Sequence, residues 1–121
     1  MPKILIVEDD EKLAKIIKIQ LEHKGFQVEN AYTGLEAVEK AENSKDIELI
    51  LLDLGLPDIE GNRVCKTISS AVHVPIIVVS ARSHIEDKVE LLTIGAVDYV
   101  TKPYDILELE ARIKIHLKKD F

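Results

Sequence analysis

Lys3–Glu11 reads KILIVEDDE, a short and nearly continuous apolar run followed at once by four acids. A run this short and unbroken fits a strand covered on both faces. Similar β-branched runs recur at Phe26–Ala31, Leu49–Leu52 (LILL), Val74–Val79 (VPIIVV) and Ala96–Val100. Between them lie segments with helical spacing. Leu13, Ile16, Ile17 and Leu21 form one stripe, closed by Gly25. Leu35, Val38 and Ala41 form a second, with Thr33 as N-cap. Val64, Cys65 and Ile68 form a third, opened by Gly61. Ile85, Val89 and Leu92 form a fourth, capped by Ser83 and stopped by Gly95. Ile106, Leu109, Ile113 and Leu117 form the last, after Asp105. The pattern is β-α repeated five times. It predicts an α/β fold, a doubly wound parallel sheet of five strands with helices on both sides.

The chain has 121 residues, which predicts one domain spanning 1–121. No linker, repeat or low-complexity tract divides it. It is 46% hydrophobic and 31% charged, a globular balance rather than a disordered one. The longest apolar run, Val74–Val79, is far short of the ~18 residues that span a bilayer. The N-terminus lacks the basic-then-apolar layout of a secretory signal. The single cysteine, Cys65, excludes an internal disulfide and fits a reducing, cytoplasmic setting. Twenty-two acids against sixteen bases give a net charge of −6. Such a domain is a poor partner for DNA phosphates or an anionic membrane. A divalent cation or a protein partner remains open.

Sites in open α/β sheets lie outside the carboxyl ends of the strands. Glu8, Asp9, Asp10 and Glu11 follow the first strand there. Asp53 ends the third, Ser80 ends the fourth, and Thr101 and Lys102 follow the fifth. Glu8, Asp9 and Asp53 have the chemistry of a hard-cation site, because Mg²⁺ takes oxygen ligands and few protein carboxylates. Asp10 and Glu11 read more simply as first-turn acids that complement a helix dipole. A strand-end carboxylate such as Asp53 can also act as a nucleophile and form an aspartyl phosphate. Phosphoryl transfer needs positioning and charge neutralisation around the equatorial oxygens. A metal, Lys102 and the Ser80 hydroxyl would supply these from three sides. Alone, Lys102 would be a solvated lysine and Ser80 a helix cap.

With those residues in place, the sequence resembles the receiver domain of two-component response regulators. The resemblance rests on Ile4–Asp10 (ILIVEDD), Leu51–Gly61 (LLDLGLPDIEG), Val78–Arg82 (VVSAR) and Tyr99–Pro103 (YVTKP). These occur in family order and span the chain. Gly95–Pro103 and Glu108–Ile113 resemble the branch whose receivers precede a winged-helix DNA-binding domain. Leu54–Asp58 and Ser80–Ser83 are most similar to potassium-transport (Kdp-type) regulators. The resemblance implies a flavodoxin-like sheet of order 2-1-3-4-5. It implies that Asp53 takes phosphate from a phosphohistidine of a sensor histidine kinase. Asp9 would bind Mg²⁺ directly, Glu8 mainly through water, and Gly55 through its backbone carbonyl. Lys102 would pair with a phosphate oxygen, and the Lys102–Pro103 bond would be cis. Ser80 and Tyr99 would form the switch. The Ser80 hydroxyl would move to the phosphate and open space into which Tyr99 turns. Such a domain is a phosphoacceptor that assists its own phosphorylation and dephosphorylation, rather than an enzyme.

The resemblance also implies a homodimer through the fourth helix, fifth strand and fifth helix. Lys88 with Glu108, and Asp98 with Arg112, match two of the branch's intermolecular ion pairs. Val89 and Leu92 match its apolar patch. Glu108 and Arg112 also stand at i,i+4 spacing and could pair within one helix. Three positions depart from the pattern. Val97 replaces an acid that usually faces Lys114, Glu110 stands where an apolar residue is common, and Gly55 replaces a common methionine. DNA would be reached only through a separate C-terminal domain.

Three alternatives share parts of the pattern. A flavodoxin-type FMN site needs a Ser/Thr/Gly phosphate loop where this chain carries four acids. A haloacid-dehalogenase-type phosphohydrolase needs a second acid two residues after Asp53, where Gly55 stands. A pseudo-receiver, acting as an unphosphorylated interaction module, usually lacks the Asp or Lys that Asp53 and Lys102 provide.

Overall fold

The computed structural model describes residues 1–117. The last four residues of the expected 1–121 domain lie outside the described residues. The elements alternate in chain order. They are β1 (Lys3–Val7), α1 (Glu11–His23), β2 (Gln27–Ala31), α2 (Gly34–Asn43), β3 (Ile47–Leu52), α3 (Gly61–Ala71), β4 (Ile76–Ser80), α4 (Ile85–Ile94), β5 (Asp98–Thr101) and α5 (Ile106–Leu117). All strand pairs are parallel and the sheet order is β2-β1-β3-β4-β5, as expected. The order reverses between β1 and β3, and that crevice opens beside the acids that follow β1.

The unbroken apolar strands have a simple cause. Successive side chains of a strand point to opposite faces, and here each face has a core. Leu5, Val7, Ile50, Leu52, Ile76 and Val78 pack on one side with Ala37, Val64, Ile68 and Leu91. Ile4, Ile6, Leu49, Leu51, Ile77 and Val79 pack on the other with Ile17, Leu21, Leu109 and Ile113. So α2, α3 and α4 cover one face, and α1 and α5 cover the other.

Three expected helix stripes are rotated. In α1 the buried residues are Ala14, Ile17 and Leu21, whereas Leu13 and Ile16 are exposed. In α2 they are Gly34, Ala37 and Ala41, and Leu35 is exposed. In α4 only Leu91 is buried, and Ile85, Val89 and Leu92 line the outer face. Ala14 in α1, and Gly34, Ala37 and Ala41 in α2, face the sheet, and the larger apolar side chains Leu13 and Leu35 beside them point outward. The stripes of α3 and α5 are as expected, with Val64, Cys65, Ile68, Leu109 and Ile113 buried.

Most caps follow the sequence. The Asp10 carboxylate accepts from the Lys12 and Leu13 N–H groups, and Thr33 Oγ1 accepts from Glu36 N–H at 3.1 Å. At α4 the N-cap position is His84, not Ser83, and no side chain caps that end. Gly95 ends α4 at φ +148°, where a side chain would be strained and its Cβ would meet Ser69 at 2.7 Å. Four strands begin away from their expected starts. β2 starts at Gln27, β3 at Ile47 and β5 at Asp98. β4 starts at Ile76, after Pro75, which has no N–H to give a ladder.

Candidate functional site

Parallel pairing brings the carboxyl ends of β1, β3, β4 and β5 to one edge. The Asp53 N–H donates to the Val7 carbonyl at 3.0 Å, and the Lys102 N–H to the Ser80 carbonyl at 2.8 Å. The ladder thus extends past the strand ends and fixes where both functional side chains leave the backbone. Glu8 is held likewise, its N–H on the Ala31 carbonyl at 3.0 Å.

Glu8, Asp9 and Asp53 each offer a carboxylate oxygen, and these three oxygens lie within 4.8 Å of one another. Glu8 is almost fully buried, Asp53 half-buried and Asp9 exposed. Glu8 Oε1 accepts from Lys102 Nζ at 3.0 Å, and Oε2 from the Asp10 N–H at 3.1 Å. Lys102 Nζ also lies 3.3 Å from Asp53 Oδ2, and Asp53 Oδ1 accepts from the Gly55 N–H at 3.3 Å. Ile6, Leu51, Val79 and Leu109 form an apolar floor beneath these groups.

Burial pushes the Glu8 carboxyl above its ordinary value. Lys102 and the Asp10 N–H oppose this, while the Asp53 charge adds to it. Burial alone would lower Lys102. Its bond to Glu8 and the charges of Asp53 and Glu8 outweigh that and hold it above the usual lysine value. One ammonium therefore faces two carboxylates, with a third nearby, and a negative excess stays in a partly desolvated pocket. The all-oxygen donor set and this excess suit a hard divalent cation. The group can hold a metal ion through Glu8, Asp9 and Asp53.

Ser80 is buried on β4, and its Oγ accepts from the Arg82 N–H at 3.1 Å. Tyr99 is 9% exposed, and its hydroxyl donates to the Arg82 carbonyl at 2.7 Å. Burial raises the Tyr99 hydroxyl above the ordinary tyrosine value. Both expected switch residues thus grip the backbone of Arg82, a junction that sequence reasoning did not find. The Tyr99 ring packs into the core on the α2, α3 and α4 side of the sheet. The Lys102–Pro103 bond is cis. Gly55 is exposed, with nothing within 4 Å of a built Cβ.

The expected dimer-face residues lie on adjacent elements. Lys88, Val89 and Leu92 are on α4, Asp98 on β5, and Glu108 and Arg112 on α5. Within this chain Arg112 binds Asp98 at 3.1 Å and Glu108 at 3.0 Å. Glu110 pairs with Lys114 at 3.1 Å and with Lys24 at 3.7 Å, so Lys114 has an acid from its own helix. His116 Nε2 also reaches Asp98 Oδ2, at 3.2 Å.

Comparison with known proteins gives one consistent answer. A family model described as the response regulator receiver domain matches residues 4–114. Response regulator ArlR of Staphylococcus saprophyticus is 47% identical over 119 residues, covering 98% of this chain and 54% of that protein. ArlR of Staphylococcus aureus is 43% identical over the same shares. The chain therefore spans about half the length of these relatives. Among solved structures, a CheY-like receiver domain protein from Methanospirillum hungatei superposes with a TM-score of 0.93 at 33% identity, covering 98% of this chain and 95% of that one. The receiver domain of the Francisella response regulator 1452 does so with 0.92 at 34%, covering both chains fully.

Proposed function

The chain belongs to the response regulator receiver domain family of two-component systems, and from that premise we propose that Asp53 is its phosphoacceptor. An Asp53 carboxylate oxygen attacks the phosphorus of a phosphohistidine on a sensor histidine kinase. The P–N bond breaks, the imidazole nitrogen keeps its electron pair and takes up a proton, and an aspartyl phosphate forms. The observation that carries this reading is the ammonium of Lys102 lying between Glu8 and Asp53, beside a cluster of three carboxylates.

Glu8, Asp9 and Asp53, with the Gly55 carbonyl, would hold Mg²⁺, which when bound supplies positive charge against the phosphoryl oxygens. Lys102 neutralises a second oxygen and orients the Asp53 carboxylate. Ser80 supplies the third contact by turning its hydroxyl from the Arg82 N–H to the phosphate. Arg82 then loses one of its two anchors. Its carbonyl still holds Tyr99, so the loop before α4 moves together with the face of α4, β5 and α5. The added charge of about −1.5 to −2 biases this two-state element. The shifted face favours a homodimer.

The acidic receiver does not itself bind DNA. A C-terminal winged-helix domain carries that contact, and the protein controls transcription from the cytoplasm. No helix among the described residues is long and apolar enough to cross a membrane. Beryllofluoride, a mimic of the phosphoryl group, tests the site. The wild type is expected to take it up only with Mg²⁺, read by fluorine NMR. Uptake independent of Mg²⁺, or none, contradicts the assignment.

A further inference from the structure

Gly55 sits in the loop from Asp53 to Glu60, between β3 and α3. The inner end of this loop is tightly held. Leu54 is 2% exposed, and its carbonyl accepts from the Leu56 N–H at 3.1 Å and the Gly61 N–H at 3.2 Å. Gly55, by contrast, is exposed, and packing does not fix its direction. Its own N–H reaches Asp53 Oδ1 at 3.3 Å. The direction of its carbonyl therefore depends on what holds the outer end of the loop.

Asp58 holds it. Its Oδ1 accepts from the Gly34 N–H at 2.7 Å and its Oδ2 from the Leu35 N–H at 3.0 Å. These are charge-assisted bonds to the positive end of α2. They hold the Asp58 carboxyl below its ordinary value. The contact is close: a Cβ on Gly34 would lie 3.3 Å from Asp58 Oδ1 and 2.8 Å from Val64 Cγ2. The helix already has its own cap in Thr33, bonded to Glu36 N–H. Asp58 takes two further N–H groups of the same helix end, so it ties loop and helix together.

We propose that Asp58 is a positioning residue for phosphoryl transfer. By tying the outer end of the Asp53 loop to α2, it keeps the Gly55 carbonyl and the Asp53 carboxylate in register with Glu8 and Asp9. The proposal rests on the reading of Asp53 as phosphoacceptor.

Thr33→Ala separates positioning from simple stability, because it weakens the same helix end without touching the loop. Mg²⁺ affinity by calorimetry, phosphorylation rate from acetyl phosphate at saturating Mg²⁺, and melting temperature are measured for wild type, Asp58→Ala, Asp58→Asn and Thr33→Ala. Asp58→Ala is expected to weaken Mg²⁺ binding roughly tenfold, as removal of a supporting partner of a metal ligand does. Asp58→Asn keeps one strong acceptor and is expected to fall between. Thr33→Ala is expected to melt earlier with Mg²⁺ affinity unchanged. Asp58→Ala with wild-type Mg²⁺ affinity and rate, and only a Thr33→Ala-like loss of melting temperature, overturns the proposal. A wild type that takes up neither Mg²⁺ nor phosphate overturns the phosphoacceptor reading itself, so the two failures are distinct.

Discussion

Lys102, just past β5, places its ammonium 3.3 Å from the Asp53 carboxylate at the end of β3, reaching across the intervening strand β4. The same ammonium lies 3.0 Å from Glu8. Lys102→Met keeps the length of the side chain and removes its charge. Two carboxylates then lose their shared cation. The expected cost is about 1–3 kcal/mol, below that of a fully buried pair because Lys102 keeps some exposure. Thermal melts in a chelator should show the loss, and Mg²⁺ should restore most of it. Phosphorylation from acetyl phosphate should slow roughly 100-fold, the scale of one lost transition-state donor.

The raised Glu8 carboxyl gives a pH signature. A folded-state pKa above the unfolded one means that the folded chain binds the extra proton. That contribution is fully present below the unfolded pKa and is lost as pH rises through the folded one. Without Mg²⁺, Glu8→Gln should therefore gain on the wild type as pH rises from about 4 to 7. Mg²⁺ should reverse the order near neutrality, since only the wild type gains a full set of carboxylates. Melting curves across that range, with and without Mg²⁺, check both signs.

Gly61 opens α3 directly beneath the phosphosite loop. A Cβ there would stand 2.4 Å from Leu54 Cα and 2.9 Å from the Leu54 carbonyl oxygen, both backbone atoms that cannot swing aside. Gly61→Ala should cost about 1–3 kcal/mol, as overpacking does. It should also weaken Mg²⁺ binding, because the loop moves with Leu54. Denaturant melts and a Mg²⁺ titration of one sample test both effects.

Arg112 is shared between Asp98 and Glu108 of its own chain. A dimer using Asp98–Arg112 pairs across protomers must give up these contacts. Arg112→Ala should change monomer stability by under about 1 kcal/mol, as for exposed pairs. It should lower the dimer fraction of the beryllofluoride complex in sedimentation equilibrium. A wild-type complex that stays monomeric at high concentration contradicts the dimer.

The sheet was legible in the sequence because two cores take apolar residues at nearly every position of β1, β3 and β4, with Lys3, Glu48 and Ser80 the exceptions. The acids of the site were legible because strand ends converge at one edge. Helix faces were harder to read. Leu13 and Ile16 stand beside Ala14 and Ile17 at nearly the same spacing, and only the sheet decides that the small side chain faces it. Arg82 and Asp58 were out of reach for another reason. Arg82 acts through its backbone, and Asp58 through N–H groups 24 and 23 residues away. Contacts of that kind leave no local periodicity.

Every other role in the proposed site depends on Asp53 carrying the phosphoryl group. Wild type and Asp53→Asn, each incubated with acetyl phosphate with and without Mg²⁺, decide it by intact-mass spectrometry alongside Phos-tag electrophoresis. One added phosphoryl group is expected on the wild type, dependent on Mg²⁺, and none on Asp53→Asn. An unmodified wild type, or equal modification of Asp53→Asn, would contradict it.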